Sequence, residues 1–142
     1  MRVSIDSLNS AHQDIMEPII DSFEHLLPSW VDSLVIAYDD DNPGGAACAP
    51  YKPYRRVCVF VSKELLSEDT DRIERYVAHE FAHAYNEGIL RVIHEYLPLL
   101  GLDDEVAKLF HKVVLDSVEE QTEDLAILFC REECYEEEDD DE

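Results

Sequence analysis

The sequence predicts a small α+β domain. Three observations carry that prediction: a helical period near the start, two short β-favouring runs after it, and helical patterning through the second half. With 142 residues, 46% of them apolar, the chain can bury one core and is too short for two comfortable ones. A single domain over residues 1–135 is expected, followed by an acidic, solvated tail over 136–142, because a block of like charges cannot pack.

The first helix is read between Leu8 and Leu27, where Ile15, Ile19, Ile20, Phe23, Leu26 and Leu27 recur at helical spacing and Pro28 ends the run. Trp30 to Tyr38 reads as a strand, and Asp39 to Pro53 as a loop opened by Asp-Asp-Asp-Asn-Pro-Gly-Gly. Val57 to Val61 is the clearest strand, continuous enough to predict burial on both faces. Helix-capping residues at Ser67 to Thr70 open a helix over about Asp71 to Glu87, with Gly88 as its expected C-terminal cap. A shorter helix over Ile89 to Leu97 is interrupted by Pro98 and Gly101. Asp103 and Asp104 then open a long helix to about Cys134.

The formal net charge is −23. Such a surface repels phosphate backbones and anionic lipid, so neither nucleic acid nor membrane is an expected partner. A basic peptide or protein would be drawn in instead. No segment reads as a signal peptide or a membrane span, so a soluble, cytoplasmic chain is expected, with its four cysteines reduced. Cys130 and Cys134 stand one turn apart without the Cys-x-x-Cys spacing of a zinc ribbon, and read as half-buried thiols.

The chemistry concentrates in His79-Glu80-Phe81-Ala82-His83. Residues four apart stand on one helical face, so both imidazoles can reach one metal ion, and Glu80 lies beside it. Zinc is the expected ion: it lowers the pKa of a water toward 7, and a carboxylate can then take that water's proton. Small Ala78, Ala82 and Ala84 permit close packing around the pair.

Three protein ligands define a catalytic zinc. Glu87 would stack along the same helix and drift round its axis, which makes it a poor third ligand. Glu120 of the long helix shares a face with Val106, Leu109, Val113 and Ile127, and a carboxylate on an apolar stripe needs a positive partner. Glu119 shares its face with Lys108, Lys112, Asp116 and Glu123, a solvated pattern. Glu120 is therefore the expected ligand, ahead of Glu123 and Glu119. Asp124, four residues on, is positioned to hold a ligand histidine's outer N–H. His94 and His111 are rival third ligands, and Tyr51, Tyr54, Tyr76 and Tyr85 are candidate donors to an oxyanion.

His-Glu-Phe-Ala-His followed by Glu-Gln-Thr-Glu-Asp resembles the gluzincin metallopeptidases, including the small minigluzincin and ImmA/IrrE-like members. The resemblance covers Trp30 to about Phe129 in layout. It implies a zincin-like fold, zinc on His79, His83 and Glu120, Glu80 as general base, Asp124 as supporting partner, and an extended peptide substrate paired to a sheet edge near Val57–Val61 or the loop before it. The sequence departs from the pattern at Glu123, where a small residue is usual, and in the 37-residue gap from His83 to Glu120. An acidic interaction module without hydrolytic activity, imitating nucleic-acid charge toward a basic partner or acting as a zinc-stabilised binding protein, is the expectation from another class.

Overall fold

The computed structural model describes residues 1–41 and 46–139, with side chains described except at 46, 47, 49, 51, 52 and 131–139. The chain opens with a short strand, β1 (Arg2–Ser4), which periodicity did not reveal because three residues carry no period. Helix α1 (Ser10–Phe23) follows, its first turn capped by the Asn9 side chain accepting from the His12 N–H. A 3-10 turn, Glu24–Leu26, finishes the expected helical stretch.

Strand β2 (Ser33–Tyr38) lies within the predicted run. The predicted loop over Asp39 to Pro53 requires correction: Ala46–Tyr51 forms a strand, β3. Alanine-rich sequence containing Pro50 has little strand propensity, and it is tolerated because β3 is an edge strand, where a missing N–H costs nothing. The turn residues 42–45 lie outside the described residues. Strand β4 (Arg56–Val61) completes one sheet of order β1-β2-β4-β3. Strands β1, β2 and β4 run parallel, with Leu34 beside Val57 and Ile36 beside Val59, and β3 pairs antiparallel to β4.

Burial in the sheet alternates. Leu34, Ile36, Val57, Val59 and Val61 are buried while Cys58 and Phe60 are only half-buried, so Val57–Val61 is covered fully on one face, not on both. Helix α2 (Thr70–His83), capped by Asp69, packs with α1 over the buried face. Met16, Ile19, Ile20 and Phe23 of α1 meet Ile73, Val77, Ala78 and Phe81 of α2 there. Each fully buried side chain of this size contributes roughly 1.5–3 kcal/mol.

Helix α2 ends earlier than expected. His83 is its last residue, Ala84–Asn86 forms a 3-10 turn, and Gly88 lies inside α3 (Glu87–Tyr96) rather than capping α2. The turn is held from below: buried Asn86 donates through Nδ2 to Thr122 Oγ1 at 2.9 Å, and Thr122 donates on to the Val118 carbonyl. Leu97–Leu100 is a further 3-10 turn, ended by Gly101 at φ +65°, a left-handed position suited to glycine.

Helix α4 (Asp104–Asp139) is capped by Asp103 and spans 36 residues, roughly 54 Å at ~1.5 Å per residue. It therefore takes in residues 136–139 of the run read as a tail, while 140–142 lie outside the described residues. Val118, Thr122, Ala126 and Phe129 form its buried stripe, facing α2. Among the described residues, no helix is long and apolar enough to cross a membrane.

Candidate metal centre

Helix α2 carries the site because its opposite face is anchored. Ile73, Val77 and Phe81 are fully buried at four-residue spacing, which fixes the rotation of the helix and presents His79 and His83 along its border with α4. Ala78, Ala82 and Ala84 are buried, as their size predicted. The two imidazoles stand edge to face, centroids 4.9 Å apart. His79, Glu80 and His83 form a group whose ligand atoms lie within 4.8 Å of one another and could hold a metal ion.

The carboxylate that α4 brings to them is Glu119. Its Oε2 lies 3.4 Å from His79 Nε2 and its Oε1 lies 3.3 Å from His83 Nε2. The next turn supplies Glu123, whose Oε2 is 2.9 Å from His79 Nδ1. With a metal ion on Nε2, that contact would keep the proton on Nδ1. The donor set, two imidazoles and a carboxylate, is one that suits zinc.

The structure brings Glu119 and Glu123 to the histidines, one register position from the expected Glu120 and Asp124. Glu120 and Asp124 are exposed, and neither makes a contact with His79 or His83. The reason is rotational. With about 100° per residue, the stripe Val118, Thr122, Ala126 and Phe129 has Glu119 and Glu123 at its margin, and Glu120 lies about 165° away from its centre. The stripe that favoured Glu120 is itself exposed: Val106, Leu109 and Val113 are each at least half open to solvent. The spacing Val118-Thr122-Ala126-Phe129 was the available signal. It was masked by a polar Thr122 that is buried only because Asn86 and the Val118 carbonyl satisfy it.

Glu80 is 6% exposed. Burial pushes its carboxyl up to about 7; the neighbouring His79 opposes that rise and Glu119 adds to it. Burial also lowers the pKa of His83, against the pull of Glu119, and His79 lowers it further, which favours the neutral, ligating form of the ring. Cys48 of β3 lies near Glu80, its thiol pushed up by burial and by the Glu80 and Cys58 charges, so it is a protonated, unreactive neighbour. Cys48 and Cys58 are free thiols; the Cys134 side chain lies outside the described residues.

The remaining candidates separate cleanly. His94 and His111 pack against each other, centroids 5.4 Å apart, and join neither site histidine. Tyr85 spends its hydroxyl on the Leu26 carbonyl, Tyr54 is largely exposed, and the Tyr51 side chain lies outside the described residues. Tyr76 faces the site. It lines a cleft of about 790 Å³ that runs from Asp69 and Arg72 to His79, Glu80 and Glu123. Glu87 is turned to Arg91 at 3.8 Å through Oε1, while its Oε2 is buried without a hydrogen-bond partner among the described residues. Strand β4 is paired on both sides, so β3 is the strand near α2 that has an unpaired edge. No known protein family, curated protein or solved structure matches this chain.

Proposed function

We propose that this chain is a zinc-dependent peptidase of gluzincin type, with His79, His83 and Glu119 holding the ion and Glu80 as general base. The observation that carries the reading is the convergence of two Nε2 atoms of α2 on one carboxylate of α4, beside a buried glutamate. When bound there, zinc supplies Lewis acidity, activating a water and polarising a substrate carbonyl.

The chain's own groups do the rest. An extended peptide adds to the free edge of β3 through main-chain hydrogen bonds, which lays its carbonyls along the cleft. Glu80 accepts a proton from the attacking water as the oxygen joins the carbonyl carbon. It then delivers that proton to the departing amine as the C–N bond breaks. We assign donation to the developing oxyanion to Tyr76, which lines the cleft. Glu123 keeps the His79 ring in its ligating tautomer. The net charge of −23 steers basic peptides toward the molecule.

The test pairs metal analysis with cleavage of a peptide library. Protein purified without chelator is expected to carry one zinc per chain. Glu80→Gln should keep that zinc and lose cleavage by about 10²–10⁴-fold. His83→Ala should lose both. The same net charge favours a second reading, an acidic module for a basic partner. Metal-free wild-type protein that binds basic ligands and cleaves nothing would establish that reading in place of the peptidase.

A further inference from the structure

We infer that the exposed face of α3 and the first half of α4 is where two copies of this chain meet as a twofold dimer. The observation is an amphipathic pattern that none of the described residues covers. Leu102, Val106, Leu109, Phe110 and Val113 recur at helical spacing, yet no residue from 102 to 117 is buried. Of the 16 large apolar residues that are exposed among those described, 11 fall between Tyr85 and Val113. This is the stripe that made Glu120 look inward; it belongs to a face that one copy leaves uncovered.

The area decides what kind of surface this is. At about half exposure of side chains that cover ~150–250 Å² when aromatic and somewhat less when aliphatic, the face presents on the order of 1,000 Å². The largest apolar patch of an ordinary monomer is about 300–600 Å². A stable dimer covers about 800 Å² on each partner. The face is therefore the size of one side of a dimer interface. Between α3 and α4 it also contains a groove of about 620 Å³ walled by Ile89, Val92, Tyr96, Phe110 and Val114, which can receive side chains from a facing copy.

Charge selects the occupant. Residues 85–113 hold three cations and five acids, a net −2, whereas the whole chain carries −23. Two copies repel each other over nearly every other approach and are almost neutral here. An isologous pairing through this face keeps the acidic remainders apart. A basic partner would instead be drawn to the acidic surface elsewhere. The two occupants differ in the sign of their salt dependence: screening strengthens association of two like-charged copies and weakens capture of a basic partner.

The experiment is sedimentation equilibrium of the full chain at 50 and 500 mM NaCl, with a parallel flotation assay on phosphatidylcholine vesicles. Expected is a mass of twice 16.4 kDa, with the dimer fraction rising at the higher salt. Leu109→Glu and Phe110→Glu, both at exposed positions, should each weaken the dimer at least tenfold while circular dichroism and bound metal stay unchanged. Wild-type protein that stays monomeric at 200 µM in both salts overturns the proposal, whatever the variants do. A dimer that both folded variants preserve overturns it by placing the contact elsewhere. Monomeric protein that floats with vesicles, and ceases to in the variants, assigns the face to a lipid surface and overturns it as well.

Discussion

Glu119 and Glu120 are adjacent and chemically identical but differently placed, which makes them the sharpest test of the site. Glu119 stands 3.3 and 3.4 Å from the two Nε2 atoms, and Glu120 faces solvent. Glu119→Gln is expected to weaken zinc binding by at least a hundredfold in chelator competition, and Glu120→Gln to change it less than twofold. Glu123→Gln should fall between them, at about 10–100-fold, because it supports a ligand without being one. Equal effects at 119 and 120 would refute this register. Glu80 yields a separate prediction in metal-free protein. Its pKa is about 7 in the fold against 4.5 outside it, so the fold holds that proton more tightly than the unfolded chain does. Its stabilising contribution is complete below pH 4.5 and is lost as pH rises through 7. The shift corresponds to about 3 kcal/mol. Urea unfolding should show metal-free Glu80→Gln gaining roughly that much over wild type at pH 8 and almost nothing at pH 4.5. The lowered pKa of His83 acts in the opposite direction, its contribution being lost as pH falls, and it is common to both proteins.

At the scale of elements, the site depends on the seam between α2 and α4. Helix α2 ends at His83, and the turn after it is tied to α4 by the Asn86–Thr122 hydrogen bond. Thr122 sits one residue before Glu123 and three after Glu119, so this bond also sets which glutamates meet the histidines. Thr122→Val conserves shape and strands the Asn86 amide, at a cost of about 1–3 kcal/mol. Restoring an apolar partner with Asn86→Leu in the same chain should recover part of that loss, a coupling measurable by a double-mutant cycle. Additive losses would mean the two side chains act independently. Strand β3 belongs to the same scale. Its composition is loop-like, but antiparallel pairing with β4 satisfies one side of its backbone and fixes it in the sheet, where it lies beside α2.

For the molecule as a whole, the proposed site would link metal and fold. The proposed ligands come from two helices, His83 and Glu119 lying 36 positions apart, so the unfolded state cannot hold them together and zinc would bind the folded state selectively. At a free zinc concentration a thousand times Kd this contributes about 4 kcal/mol. Chelation should therefore lower Tm by roughly 10 °C. Raising salt should recover some of the loss, since screening relieves self-repulsion at a net charge of −23. A melting curve indifferent to chelator would show that the cluster holds no ion in the native protein.

The α+β class, the core of α1, β2, β4 and α2, and the placement of His79, Glu80 and His83 on one helical border were legible in the sequence. Each depends on residues a few positions apart, and local periodicity records such relations. The partner glutamate was not legible. Helix α4 carries two apolar stripes on different faces, and periodicity reports that a stripe exists without saying what lies against it. Only packing decides that Val118, Thr122, Ala126 and Phe129 turn toward α2, and with them Glu119 and Glu123. The same holds for β3, whose strand geometry comes from its neighbour β4 and from no preference of its own residues.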